Sequence, residues 1–379
     1  MASSHIADPK PLADVPSDNA TAQQEIAAEM CMMGDQYNHG AGFDVRTYSQ
    51  STYSARTNVY EFIPENGRTY HSYKAGSELT AWHILRQAAR IYFPMMRFVH
   101  LEPFKFNNIK PDLVSSKSKK DWPKDLQHHL WLLTLSNKLY LAPISSPQRV
   151  LDIGTGTGIW AIEFATQNPQ AEVIGSDLSP IQPLCVPPNC RFEVDDVEDE
   201  WSYKQKFDFI HGRLMFSCFN NPAAVIKQAY QALAPGGYLE MQELNFKVHG
   251  IDDSIRGTNL EKWATLCAAG GKVLNKDLYC TMKFKQYFID AGFEDVVETI
   301  FRWPSNTWPK RKEDKMLGLY QMTNISDGIH GISAKSFTAG LRWTTQELEV
   351  FLASVRQDMK NRAIHAYWPI HVIYGRKPT

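Results

Sequence analysis

The chain has 379 residues, 40 Lys and Arg against 41 Asp and Glu, and 43% hydrophobic residues. That length suits one large domain or two small ones, with enough apolar content for a sizeable core. A formal net charge of -1 leaves no electrostatic case for nucleic acid or an anionic membrane, and no apolar run approaches the roughly 20 residues that span a bilayer.

Residues 1–42 are polar, with scattered Pro, Ala and Ser, and read as a flexible leader without the apolar centre of a secretory signal. A soluble protein of the cytosol or nucleus is expected. Cys31, Cys185, Cys190, Cys218, Cys267 and Cys280 form no C-x-x-C pair, and no His cluster completes a zinc spacing. Free thiols in a reducing compartment and no metal are therefore expected.

Residues 43–140 read as an N-terminal cap segment. Within it, residues 76–122 are rich in apolar side chains, among them Trp82, Ile91, Phe93, Met95, Met96 and Phe98. Helical packing on the core, a lid over a hydrophobic substrate and a dimer contact are all open for this insertion. From Asp125 the run DLQHHLWLLTLSNKLYL has the spacing of an amphipathic helix. His128 and His129 within it are adjacent, so their side chains diverge and do not share a metal easily.

Residues 141–250 alternate in kind. RVLDI is a strand, IWAIEFATQ a helix, and AEVIGSD, CRFEVDD and FDFIHG are strands. PAAVIKQAYQALAPGG is a helix with a Pro-Gly-Gly stop, and YLEMQE is a strand. This repetition predicts an α/β fold, a parallel sheet with helices on both faces. Residues 251–379 predict helices around Lys315–Thr323 and Thr345–Arg362, the second starting at Thr344 or Thr345 before Glu347. They also predict two strands, near Val296–Trp303 and over HAYWPIHVIYGRK.

The chemistry concentrates in VLDIGTGTGIW, residues 150–160. A glycine-rich turn between strand and helix lets a ligand touch the backbone, and the helix start offers N–H groups. Gly154, Gly156 and Gly158 depart from the G-x-G-x-x-G dinucleotide spacing, with Ile159 where the last glycine belongs, and no lysine follows as in a phosphate loop. Asp152 before the loop would repel a pyrophosphate and suits an ammonium group. S-adenosylmethionine has an amino-acid end of that kind and no phosphate. Asp177, ending the next strand, is placed to accept both ribose hydroxyls of an adenosine. Asp195, Asp196 and Val197 end the third strand. A carboxylate there, Asp196 by preference, accepts the adenine amine, and Val197 packs on the ring or supplies its N–H.

These segments, with VIGSDLSPIQP, VPPNCRFEVDD and APGGYLEMQE, resemble the core of class I S-adenosylmethionine-dependent methyltransferases. More narrowly they resemble the LaeA-like fungal methyltransferases of secondary metabolism, and ENGRTYHSY, DLQHHLW and NRAIHAYWPIHVIYGRKP extend the similarity to most of the chain. The resemblance implies a Rossmann-like, seven-stranded, mostly parallel sheet with the last strand antiparallel, plus helical N-terminal and C-terminal caps. It implies S-adenosyl-L-methionine as cofactor, held by Asp152, Gly154, Thr155, Gly156, Gly158, Asp177, Leu178, Asp195, Asp196 and Val197. It also implies that ENGRTYHSY folds over the cofactor with Tyr70 and His71 close to it. The 76–122 insertion is longer and more apolar than the corresponding link in the family.

Methyl transfer is an in-line displacement that needs alignment above all, and a base only for a poorly ionised acceptor. His211 and Glu243, where the fourth and fifth strands end, are the catalytic candidates. Arg213, Gln242 and His249 lie nearby, and Trp303, Trp308, His365 and Trp368 are candidate pocket walls. The leading expectation is methylation of an O or N atom of a small apolar secondary metabolite. The alternatives are a nuclear regulator acting in a protein complex, and a relative that binds the cofactor without transferring methyl. A homodimer or a regulatory partner is compatible with either.

Overall fold

The computed structural model describes residues 126–379, with the backbone of 62–65 and 68–71. Those last two segments form an antiparallel hairpin, β1 (Phe62–Glu65) and β2 (Arg68–His71). The apolar insertion at 76–122 and the leader lie outside the described residues.

After helix α1 (Leu126–Thr134) come β3 (Arg149–Ile153), α2 (Ile159–Gln167), β4 (Glu172–Asp177), β5 (Cys190–Val194) and β6 (Phe207–Arg213). Helix α3 (Pro222–Ala232), β7 (Leu233–Leu244) and the short β8 (His249–Gly250) follow. The remainder is α4 (Asn259–Val273), α5 (Phe284–Ala291), β9 (Glu294–Pro304), α6 (Lys312–Lys335), α7 (Thr345–Lys360) and β10 (Ala366–Arg376). The sheet order is β5-β4-β3-β6-β7-β10, with β8 and β9 also paired to β10. Strands β3 to β7 are parallel, and β10 is antiparallel to β7, β8 and β9. The mostly parallel sheet with an antiparallel last strand is thus present, with the two-residue β8 added.

Two cores cover its faces. Leu151, Ile153, Ile174, Ile210, Leu239 and Met241 point into the larger one, shared with Val225 and Ile226 of α3 and Trp263 of α4. Val150, Val173 and Phe209 point to the other, against Trp160 and Phe164 of α2. Side chains alternate along each strand, so Asp152 shares the α2 face with Val150, and His211 with Phe209. Register sets Asp152 beside His211, and His211 beside Glu240. A row of buried polar groups therefore crosses three strands on the α2 face.

Local expectations fared unevenly. Helix α7 opens with the expected capping box, Thr344 Oγ1 accepting from Glu347 N and the Glu347 side chain accepting from Thr344 N. Helix α1 stops sooner than its apolar run suggests, because Ser136 and Asn137 take left-handed φ values of 54° and 61°. Helix α6 is far longer than Lys315–Thr323. Gly318 lets it pack against other backbone, since a Cβ there would lie 2.0 Å from the Asn306 carbonyl oxygen. No Pro-Gly-Gly gap separates α3 from β7; Leu233 already pairs with Phe207, and the register shifts before Tyr238 pairs with Phe209. Cys190, Cys218, Cys267 and Cys280 are thiols, outside any disulfide. Cys185 departs from the expectation of thiols throughout, since it is disulfide-bonded. Among the described residues no helix is long and apolar enough to cross a membrane, and no group of three His, Cys, Asp or Glu is placed to hold a metal.

Candidate cofactor and active site

The glycine loop joins β3 to α2 at the carboxyl edge of the sheet. Gly154 and Gly158 have φ values of 62° and 80°, a region that L side chains rarely adopt. Space is as limiting as torsion. A Cβ on Gly154 would sit 2.2 Å from Met215 Sδ, and one on Gly158 would sit 2.3 Å from Phe192 Cζ. The loop is wedged between the turn after β6 and the ring of a β5 residue.

Asp177, 3% exposed, ends β4 beside this loop. Its Oδ2 accepts from Gly156 N at 2.7 Å and its Oδ1 from Ser179 N at 3.0 Å. Gln182 Nε2 donates to the Gly156 carbonyl at 2.7 Å and clamps the loop from the other side. Asp152, also 3% exposed, accepts from Thr155 Oγ1 at 2.6 Å. Leu178 is half-buried. The ends of β4 and β5 are tied together where Asp195 N donates to the Asp177 carbonyl at 3.2 Å. Asp196 is buried and accepts from Glu198 N, while Asp195 is exposed. The Val197 carbonyl accepts from Trp201 Nε1 at 2.9 Å. The structure thus brings Asp152, the loop, Asp177, Leu178 and Asp195–Val197 to one edge across three neighbouring strands. The side chains of Tyr70 and His71 lie outside the described residues.

This donor set fits S-adenosylmethionine. Two buried carboxylates stand at adjacent strand ends, as an ammonium group and ribose hydroxyls require, and no Lys or Arg occurs from Asp152 to Asp177 to receive a phosphate.

The two catalytic candidates are both fully buried. His211 Nδ1 lies 2.7 Å from Asp152 Oδ1, and its ring stacks on Trp160 at 3.8 Å between centroids and 4° between planes. Burial pushes its proton affinity down, Asp152 opposes this, and Arg213 adds to it. Glu243 accepts from Met215 N at 3.0 Å and Phe216 N at 2.9 Å. It pins the turn that follows β6, where Leu214 is held at a φ of 58°. A left-handed leucine is costly, by roughly 1–2 kcal/mol, and the glutamate supplies the compensating hydrogen bonds. That turn places Met215 against Gly154.

The other sequence candidates separate. Trp303 and Trp368 are core residues, 0% and 1% exposed. Trp308 packs on His365, whose Nδ1 is 2.6 Å from Asp252. His249 stacks on Tyr367. His128 and His129 do diverge: His128 meets Arg213 and Glu163, whereas His129 meets the ring of Tyr320. Sequence reasoning missed Gln182 and Met215, which contact the loop, and Trp160, which stacks on His211; no local pattern signals these contacts.

It also missed Glu240. Burial pushes this carboxyl from 4.5 up to about 7, against hydrogen bonds from Gln242, Ala142 N and Leu141 N. Between those pH values the folded protein holds a proton that the unfolded chain has released. Stability from this group is therefore full below pH 4.5 and falls as pH rises to 7, by on the order of 3 kcal/mol. Glu240→Gln has nothing to titrate there. Its melting temperature relative to the unsubstituted protein is expected to climb by a few degrees, roughly, between pH 4.5 and 7.5. A pH-independent difference in thermal melts would contradict this account of Glu240.

A family model described as a methyltransferase domain matches residues 126–298. The chain is 35% identical over 256 residues to the probable methyltransferase tdiE of Emericella nidulans, covering 67% of this chain and 80% of that one. It is 31% identical over 332 residues to the methyltransferase pytC of Aspergillus terreus, covering 86% and 91%. It is 28% identical over 330 residues to the protein-methionine methyltransferase laeA of Emericella nidulans, covering 86% and 79%. With a parallel sheet, a glycine loop without phosphate chemistry and these relatives, the chain belongs to the S-adenosylmethionine-dependent methyltransferases of fungal secondary metabolism, the LaeA-like family with the class I fold.

Proposed function

We propose that the enzyme methylates an O or N atom of a small, apolar secondary metabolite. The observation that carries this reading is the wall beside the glycine loop. Met215 touches Gly154, and the fully buried Phe216, Phe246 and Trp263 back it from the core as a run of aromatic contacts. An apolar backing of this kind keeps water from that side of the loop, which suits an apolar acceptor and a reaction in which charge is lost.

Bound S-adenosylmethionine supplies an activated methyl group on a cationic sulfur. In this reading Asp177 receives the ribose hydroxyls, Asp152 lies toward the ammonium group, and Asp196 with Val197 receives the adenine. Glu243 holds Met215 and Phe216 where the acceptor meets the loop. His211, enclosed by Asp152 and Trp160, acts by positioning Asp152. Tyr70 and His71 belong to the cofactor side. The enzyme works in the cytosol or nucleus.

A second reading, a protein acceptor within a regulatory complex, is favoured by the relative named as a protein-methionine methyltransferase. Methyl-labelled S-adenosylmethionine, the pure protein and an extract of its source cells separate the two. Label on a small molecule is the expected outcome. Label confined to protein would transfer the assignment to the second reading, and no label despite cofactor binding would overturn both.

A further inference from the structure

Among the described residues Arg213 is the sole buried Lys or Arg, 8% exposed. It ends β6, the strand beside β3. Register pairs Gly212 with Ile153, so Arg213 stands level with Gly154, where the glycine loop opens. Alternation along the strand puts its side chain on the α2 face, with those of Phe209 and His211. There its Nη2 donates to His128 Nδ1 at 3.1 Å, and its guanidinium carbon lies 6.0 Å from the centre of the Trp131 ring. His128, 4% exposed, reaches Glu163 of α2 with its other nitrogen, Nε2 lying 2.6 Å from Oε2.

These contacts assign the ring proton. A guanidinium only donates, so His128 Nδ1 is the accepting nitrogen, and the proton sits on Nε2, donated to Glu163. Glu163 thereby fixes the ring, and the ring fixes the guanidinium. The orientation of Arg213 is set from α1 and from α2, the helix into which the glycine loop leads. The loop itself offers an anion little. Thr155 N donates to the Ser176 carbonyl at 2.9 Å, Gly156 N to Asp177 Oδ2 at 2.7 Å and Gly158 N to the Thr155 carbonyl at 3.0 Å. No Lys or Arg occurs from Asp152 to Asp177. The amino-acid end of S-adenosylmethionine carries a carboxylate on the carbon that bears the ammonium group. Its countercharge must come from a neighbouring element, and Arg213 is the cation at that level of the sheet.

We propose that the Arg213 guanidinium receives the carboxylate of S-adenosylmethionine, and that His128 and Glu163 are positioning residues that hold it in place for this. This rests on the reading of the glycine loop as the seat of the cofactor's amino-acid end. The arrangement divides a zwitterion between two adjacent strands, Asp152 of β3 for the ammonium group and Arg213 of β6 for the carboxylate. A planar guanidinium matches a carboxylate through two parallel hydrogen bonds, which the point charge of a lysine would not reproduce. Holding the fork from His128 lowers the ordering cost of that match, since the side chain is oriented before the ligand arrives. The site thus selects a ligand with both charges over one that has the ammonium group alone.

Titration calorimetry of the full-length protein with three ligands tests this. The ligands are S-adenosylmethionine, its decarboxylated form, which keeps the sulfonium and the ammonium group, and methylthioadenosine, which has the nucleoside without the amino-acid end. The unsubstituted protein is expected to bind S-adenosylmethionine roughly tenfold or more tightly than the decarboxylated form. Arg213→Met is expected to bind those two alike, and His128→Phe to show a smaller preference than the unsubstituted protein. Methylthioadenosine should bind all three proteins with similar affinity. A full preference retained in Arg213→Met, or none in the unsubstituted protein, would overturn the role of Arg213. A full preference in His128→Phe would overturn that of His128. Failure of the unsubstituted protein to bind any of the ligands would instead overturn the loop reading, and this inference with it. Should Arg213→Met not fold, guanidinium ¹⁵N spectra of the unsubstituted protein decide the matter. An Arg213 signal that moves with S-adenosylmethionine and not with the decarboxylated form supports the proposal, and an equal response to both refutes it.

Discussion

Gly158→Ala is expected to abolish measurable cofactor binding and to lower the melting temperature by several degrees. The residue has a φ of 80° and caps α2 at the point where the loop becomes helix. A methyl group there would lie 2.3 Å from Phe192 Cζ and 2.8 Å from Cε1. The ring has little room to retreat, because it already lies against Gly175, where a Cβ would meet Cδ1 and Cε1 at 2.6 Å. The left-handed torsion costs roughly 1–2 kcal/mol and overpacking roughly 1–3 kcal/mol more. Gly257 separates the two effects. Its φ is 74°, and nothing lies within 4 Å of a Cβ built on it. Gly257→Ala should therefore show the torsional part alone and bind S-adenosylmethionine normally. If the two variants melted and bound alike, the wedge between loop and β5 would have no energetic importance.

Asp177→Ala should weaken S-adenosylmethionine at least tenfold in calorimetric titrations, with a smaller loss in stability. The carboxylate is buried, and it accepts from Gly156 N and Ser179 N. It therefore shapes the loop before it meets any ligand. A hydrogen bond to a charged group contributes roughly 1.5–3 kcal/mol, about 10- to 150-fold in affinity when it is made to the cofactor. Two effects add in this variant, since the Gly156 N–H loses its acceptor and the ribose loses its partner. Asp195→Ala, at an exposed position on the next strand end, should change affinity by less. Unchanged binding in Asp177→Ala would end the assignment of Asp177 to the cofactor, whatever the loop does.

Both variants lie where local pattern was most informative. The alternation of branched runs with amphipathic ones in 149–244 announces strand and helix, because each signal lies within a dozen consecutive residues. The glycines at 154, 156 and 158 announce a turn that only glycine accommodates, and Asp177 announces itself by closing a strand. The long helix α6 was only partly legible. Its Gly318 serves contact with the backbone at Asn306, and its buried positions include Gln321, Asn324 and Ser333 beside Ile325, Ile329 and Ile332, so its apolar periodicity is weak although its packing is close.

By itself, the sequence determined the class of fold, the order of strands and helices over 149–244, and a loop chemistry suited to a cation with ribose hydroxyls. These are properties of short windows, in which spacing and residue type act directly on the backbone. Tertiary structure alone decided what the candidate acids and bases do. His211 and Asp152 are 59 residues apart and Glu243 and Met215 are 28 apart, so their pairing depends on sheet register and strand order. Burial then removed His211 and Glu243 from solvent, and hydrogen bonding turned one toward Asp152 and the other onto the turn behind Gly154. Gln242 and Glu240 carry no motif, and their hydrogen bonds to Leu139, Leu141 and Ala142 exist only because the fold brings together segments about 100 residues apart.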